Sequence, residues 1–189
     1  METSTTNQLF SKDDLKKLII PLLFEQALAI TVGMADTVMI SSAGEAAVSG
    51  VSLIDMFNNM IISVLAALAT GGAVVTSQFL GAGKKEDACK SAKQLIVSSV
   101  CITIGISILV MVFCNGIISL FFGKIEADVF HNAVIYMMIS ALSFPFLALY
   151  NSCAALFRSM GNSKITLKVS VVENIINIGG NSLGVYVLG

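Results

Sequence analysis

Residues 18–41 read LIIPLLFEQALAITVGMADTVMIS, a mostly apolar run near the start of the chain. At a rise of 1.5 Å per residue, about 20 residues cross a hydrocarbon core of roughly 30 Å, so this stretch predicts a membrane-spanning helix. Two acids, Glu25 and Asp36, interrupt the run. A charged side chain at the centre of a bilayer costs at least about 2.5 kcal/mol, so each acid is expected to face a partner or a water-filled cavity.

The composition of the whole chain extends this interpretation. Of its 189 residues, 56% are hydrophobic and 12% are charged, whereas soluble domains average about 45–50% and 25%. We therefore predict an all-α, polytopic transmembrane helical bundle behind a cytoplasmic N-terminal tail, residues 1–17. A net charge of −1 gives no sign of a nucleic-acid partner. The five predicted spans are residues 18–41, 51–80, 95–122, 133–157 and 165–188.

The basic residues lie almost entirely on one side of this predicted topology. Three lysines precede span one, four lie between spans two and three, and Arg158, Lys164 and Lys168 surround the turn between spans four and five. Only Lys124 lies between spans three and four. Because segments rich in Lys and Arg stay on the cytoplasmic side, this distribution predicts a multi-pass protein of the cell membrane with a cytoplasmic N-terminus.

The topology gives each polar residue inside a span an approximate depth. Asp36 lies about 27 Å along span one from the inner surface, and Asn177 and Asn181 lie about 18 and 24 Å along span five. The two asparagines are four residues apart and share a helix face. One carboxylate with two carboxamide oxygens suits a hard cation or a proton, so we predict a cation site at these three residues. Asp55 in span two lies at a depth similar to that of Asp36.

Glu25 and Glu173 lie about 10 and 12 Å from the inner surface, and each is the other's candidate partner. Two carboxylates that approach each other in a low dielectric favour uptake of a proton, which suits proton exchange. The alternative for these acids is the membrane interface. Asp36 and Asp55 would then lie among the outer headgroups, and Glu25 and Glu173 would lie at the cytoplasmic surface.

No set of residues in the sequence resembles a catalytic site. The motifs HExxH and GxxxxGK[ST] are absent, and the single histidine, His131, lies in an external loop without a matching nucleophile. We therefore expect no enzyme activity and no cofactor apart from a coupling ion.

Three motifs, in order along the predicted topology, resemble the multidrug and toxic compound extrusion (MATE) family. Residues 21–36 (PLLFEQALAITVGMAD) contain Glu25 and Gln26, residues 78–83 (QFLGAG) close span two, and residues 158–164 (RSMGNSK) follow span four. The resemblance implies an antiporter of twelve helices in two six-helix lobes. Such an antiporter exports amphipathic, often cationic compounds in exchange for Na⁺ or H⁺.

The resemblance also implies roles for individual residues. Asp36 matches the cation-binding acid of the N-terminal lobe, and Asn177 with Asn181 matches an Asn-xxx-Asn/Asp pair of the fifth helix. Glu25, Gln26, Asp55 and Glu173 are further intramembrane polar residues, and they are only candidates for the site. The implied partners are small amphipathic or cationic substrates, the lipid bilayer and the remaining helices of the transporter.

Five helices are fewer than the family's twelve, so we expect an incomplete N-terminal portion, either a fragment or a truncated gene product, that cannot perform alternating access alone. Two other functions stay open. A flippase for lipid-linked precursors of the same superfamily would be favoured by basic residues in the cavity, and the span cores contain none. In a non-transporting membrane subunit, the acids would be incidental.

Overall fold

The computed structural model describes residues 12–42 and 44–186, and nearly all of them are helical. Five helices follow one another: α1 (Lys12–Ser41), α2 (Glu45–Gly81), α3 (Lys85–Phe122), α4 (Ala127–Ser159) and α5 (Ser163–Tyr186). No strand occurs in these described ranges. The structure therefore confirms the all-helical fold class. The first part of the predicted tail, residues 1–11, and the end of the fifth predicted span, residues 187–188, lie outside the described residues.

The helices extend beyond the apolar runs that predict them. Helix α3 begins at Lys85 and α4 begins at Ala127, ahead of the predicted starts at residues 95 and 133. Helices α1 to α4 contain 30 to 38 residues each, more than the roughly 20 that a perpendicular crossing requires. Their ends therefore project past the hydrocarbon core or their axes tilt.

Four of the five helices, α1 to α4, are long and apolar enough to cross a membrane by length and composition. Helix α5 has 24 residues, which is sufficient length. Its apolar character is lower because four polar residues lie in its middle, namely Glu173, Asn174, Asn177 and Asn181. This helix therefore depends on a neighbouring helix to pair its polar face.

Helices α2, α3 and α4 pack together as one unit, and this unit contains the larger core. Its buried residues are Ile54, Phe57, Val110, Cys114, Ile118, Ala133, Met137, Ala141 and Phe144. Helices α2 and α4 approach closely at Gly50, where an added Cβ atom would lie 3.0 Å from the Ala133 nitrogen and 3.0 Å from the Val129 oxygen. A small residue at this crossing is what allows the two backbones to meet.

Helices α1 and α5 form a second unit. They pack mainly on each other, and both make far fewer contacts with α2 and α4 than the three-helix unit makes within itself. The bundle is therefore a helix pair set against a three-helix unit, and the candidate site lies in the cleft between them.

Candidate functional site

The three residues of the predicted cation site meet at the contact between α1 and α5. The Asn181 side chain donates a hydrogen bond from Nδ2 to Asp36 Oδ1 at 2.8 Å and another from Nδ2 to Asn177 Oδ1 at 3.1 Å. One amide nitrogen carries two hydrogens, so Asn181 can serve both acceptors at once. The packing of α1 on α5 thus brings together residues that are far apart in the sequence.

These residues line a cavity of about 410 Å³ between the α1/α5 pair and the α2/α4 side of the bundle. The cavity is lined by Gly33, Asp36, Thr37, Met39, Ile40, Val48, Val51, Ser52, Asp55, Tyr136, Asn177 and Asn181. This lining includes two carboxylates and no Lys or Arg. A cleft of this kind has a negative potential and attracts cations.

Asp55 faces the same cavity from α2 and is bonded to a residue that the sequence analysis did not single out. The Tyr136 hydroxyl of α4 donates a hydrogen bond to Asp55 Oδ1 at 2.8 Å. Tyr136 lies only three residues after the start of the fourth predicted span, on the external side. Tyr136 thus lies at the predicted depth of Asp55, but depth alone does not show that the two side chains meet.

A second cavity of about 380 Å³ shares Asp55, Tyr136 and Asn177 with the first. Its remaining lining residues are Asn58, Asn59, Ile62, Ser140, Ser143, Phe144 and Leu147. Asn58 Nδ2 donates a hydrogen bond to Ser140 Oγ at 3.0 Å. This bond joins α2 to α4 about one helical turn after Asp55. The two cavities therefore adjoin along the Asp55–Tyr136 hydrogen bond.

Glu25 has an ion-pair partner that the sequence analysis did not name. Its Oε1 lies 3.4 Å from Arg158 Nη1, and the Glu25 side chain is 16% exposed. The sequence analysis named only Glu173, at a similar depth, as its candidate partner. Arg158 lies at the turn after span four, and its long side chain extends from the end of α4 to bring the guanidinium to the Glu25 carboxylate.

The other two candidate residues, Gln26 and Glu173, make no hydrogen bond to the acids of the cavity within the part of the chain that the structure describes. Gln26 and Glu173 are both exposed. In the described ranges, no hydrogen bond joins either residue to Asp36 or Asp55. The described residues also contain no group of three or more His, Cys, Asp or Glu that could hold a metal ion. Any cation at Asp36 would therefore be bound by mixed carboxylate and carboxamide oxygens.

Apolar helices with carboxylates that face a cavity are an arrangement found in membrane transporters. The chain belongs to the MatE family, whose family model matches residues 21–183. The resemblance given by the three sequence motifs is thereby confirmed.

The chain is similar to two bacterial proteins over most of its own length. It is 31% identical over 166 residues to the uncharacterized transporter YisQ of Bacillus subtilis, covering 88% of this chain and 36% of that protein. It is 25% identical over 172 residues to the probable multidrug resistance protein NorM of Thermotoga maritima, covering 88% of this chain and 36% of that protein. The chain thus spans about a third of the length of these relatives.

Solved structures have the same fold. A MOP superfamily transporter from Pyrococcus furiosus matches with a TM-score of 0.85 at 20% identity, covering 93% of this chain and 38% of that one. An outward-facing multidrug resistance MATE family transporter matches with the same TM-score and identity, covering 39% of its chain. These likenesses confirm that the five helices are arranged as in part of a MATE transporter.

Proposed function

We propose that this chain forms part of a cation-coupled antiporter of the cell membrane, with its N-terminus in the cytoplasm. The antiporter exports amphipathic or cationic compounds in exchange for Na⁺ or H⁺. The observation that carries this proposal is the hydrogen-bonded set of Asp36, Asn181 and Asn177 at a cavity whose lining has no basic residue. The absence of basic residues from this lining also disfavours a phosphate-bearing substrate, which a flippase would require.

The hydrogen bonds around Asp36 suggest how an ion would act. Asn181 holds Asp36 Oδ1 through an N–H donor, and a sodium ion or a proton on the carboxylate competes with that donor. Binding of the ion would therefore turn the Asn181 amide so that its oxygen, rather than its nitrogen, faces the ion. The ion would then change the contact between α1 and α5.

This local change can be coupled to transport because α1 and α5 pack as a pair that is only loosely joined to the rest of the bundle. A shift of this pair would alter the width of the cleft that it forms with α2 and α4. An ion and a substrate that favour opposite positions of the pair weaken each other's binding, and such coupling is typically about 5–150-fold. Exchange of one for the other follows from this reciprocity.

An Asp36→Asn substitution in the chromosome of the source organism tests the proposal in the protein as the cell makes it. Asn has nearly the shape of Asp and cannot carry the charge. We expect the rate of energised efflux of a fluorescent cation such as ethidium to fall at least about tenfold, with the amount of protein in the membrane unchanged.

Asp128→Asn is the matched control. Asp128 is exposed in the first turn of α4 and contributes only its backbone oxygen to a hydrogen bond from Asn132. This variant should export ethidium at the wild-type rate. Wild-type export by the Asp36→Asn strain would refute the cation-coupling role of Asp36.

A further inference from the structure

Asp55 takes no part in the cation site proposed above, although it lines the same cavity. It lies on α2 and is held by Tyr136 of α4, whereas Asp36 of α1 is held by α5. Each carboxylate therefore belongs to a different helix unit. The two units face each other across the cavity, and each contributes one acid.

The charge of the cavity is larger than one monovalent ion can balance. Its lining contains two carboxylates and no Lys or Arg. In the described residues, hydrogen bonds reach only Oδ1 of Asp36 and Oδ1 of Asp55. The second oxygen of each carboxylate is therefore available to a cation. One ion at Asp36 leaves the Asp55 carboxylate without a counter-charge in the cavity lining.

The surroundings of the two acids differ in kind. Asp36 lies beside the carboxamide oxygen of Asn177, and such a set of oxygens suits a small hard cation. Asp55 borders the second cavity, of about 380 Å³, whose walls include the apolar side chains of Phe144 and Leu147. Seven of its ten lining residues are polar, so this cavity combines one acid and several hydrogen-bonding groups with a short apolar wall. Such a lining suits the charged end of an organic molecule that has a small apolar body.

Asn58 adds a hydrogen-bond acceptor to this second cavity. It lies one helical turn from Asp55, on the same face of α2. Its Nδ2 donates to Ser140, while its Oδ1 is buried and accepts no hydrogen bond from the described residues. A buried acceptor without a donor is unfavourable. A bound group with N–H bonds would supply the missing donor, and a quaternary ammonium group would not.

We propose that Asp55, Tyr136 and Asn58 form a second cation subsite that binds the ammonium group of a protonated amine. The apolar body of this amine occupies the cavity beside Phe144 and Leu147. The inference rests on the proposed function in one respect, since the coupling ion is taken to bind at Asp36. Substrate and ion then occupy neighbouring but separate positions in one cleft.

The test uses the 189-residue chain purified in lipid nanodiscs. The probes are a dansylated primary alkylamine and its trimethylammonium analogue, and binding is followed by dansyl fluorescence. We expect Asp55→Asn to raise the Kd of the amine at least about tenfold. Asp55→Glu, which keeps the charge, should restore most of the affinity, and Asp128→Asn should have no effect. The trimethylammonium analogue should bind the wild-type chain several-fold more weakly than the amine.

Sodium binding is measured separately, as the shift in unfolding temperature when NaCl replaces N-methylglucamine chloride. Asp55→Asn should leave this shift intact, and Asp36→Asn should remove it while leaving amine binding in place. If Asp36→Asn keeps the sodium shift but Asp55→Asn loses the amine, the proposed ion site fails and the amine subsite stands. An amine Kd that changes by less than about twofold in Asp55→Asn overturns the amine subsite.

If Asp55→Asn does not fold, the amine Kd of the wild-type chain is measured at increasing sodium concentrations instead. With two separate positions, sodium raises the amine Kd to a plateau, because the coupling between sites is finite. With one shared position, the amine Kd rises in proportion to sodium concentration without a plateau. The second result overturns the inference.

Discussion

The ion pair between Glu25 and Arg158 should contribute measurably to the stability of the bundle, and Arg158→Met tests this. The pair joins the middle of α1 to the end of α4, eleven residues before Asp36 along α1. The exposed fractions of the side chains are 33% for Arg158 and 16% for Glu25, and Glu25 Oε2 is buried without a hydrogen bond from the described residues. Removal of Arg158 therefore leaves a mostly buried carboxylate without its counter-charge.

The size of the effect follows from the geometry. At the observed 3.4 Å, two unit charges attract by about 5 kcal/mol at an effective dielectric of about 20. Loss of hydration offsets much of this attraction, and breaking a fully buried pair costs about 3–5 kcal/mol. Because Arg158 is one-third exposed, we expect a smaller loss, about 2–3 kcal/mol, for Arg158→Met. The Met side chain keeps the apolar contacts of the Arg stem.

The two single substitutions should not be equivalent. Glu25→Gln leaves Arg158 without its partner, but an Arg side chain that is one-third exposed can turn its charge to water. We expect a loss of only about 1 kcal/mol for Glu25→Gln. The double variant removes both charges and should be at most about 1 kcal/mol less stable than wild type, which gives a coupling energy of about 2–4 kcal/mol.

The assay is equilibrium unfolding of the purified chain in mixed dodecyl maltoside and SDS micelles, followed by circular dichroism at 222 nm. Lys164→Met, at an exposed basic residue near the start of α5, is the control and should change stability by less than about 0.5 kcal/mol. An Arg158→Met variant as stable as this control, with additive effects in the double variant, would show that the pair does not hold α1 to α4.

Two further predictions concern packing and are measured in the same unfolding assay. Gly50→Ala should destabilise the bundle by about 1–2 kcal/mol, because its Cβ would lie 3.0 Å from backbone atoms of α4 and the cost of overpacking exceeds the gain in helix propensity. Gly116→Ala has no atom within 4 Å of the new Cβ and should stabilise the bundle by up to about 1 kcal/mol; equal effects of the two would contradict the close approach. Thr76→Val removes a 3.0 Å hydrogen bond to Ser91 between α2 and α3 and should cost about 0.6 kcal/mol. Thr70→Val loses only a bond within α2 and should cost less. A larger loss of stability for Thr70→Val than for Thr76→Val would show that the hydrogen bond between the helices does not stabilise the bundle.

The sequence was sufficient for the part of the site that depends on depth and helix periodicity. Asn177 and Asn181 share a helix face because they are four residues apart, and the lysine distribution placed them at the depth of Asp36. The structure joins these three residues by hydrogen bonds. Whether they bind a cation stays a prediction.

Depth alone does not show toward which neighbour a side chain points. For this reason the sequence did not predict the partners of Glu25 and Asp55. Depth predicted no ion-pair partner for Glu25, yet Arg158 reaches it from the end of α4. Tyr136 lies at the depth of Asp55, and only the packing of α4 on α2 shows that the two side chains meet. The facing of helices is a tertiary property, and a single sequence without aligned homologues contains little information on it.

The polar residues of α5 connect the candidate site to the fold itself. They make α5 less apolar than the other four helices, so the helix gains less from lipid and more from its contact with α1. Replacement of Asn181 by Leu would make α5 more apolar, yet it would also remove the donor to Asp36 and leave that carboxylate without its hydrogen bond inside the membrane. The same hydrogen bond thus joins α1 to α5 and holds the acid at the cavity. A change in the charge of Asp36 must therefore alter the contact between these helices, which is the property that coupling of an ion to a conformational change requires.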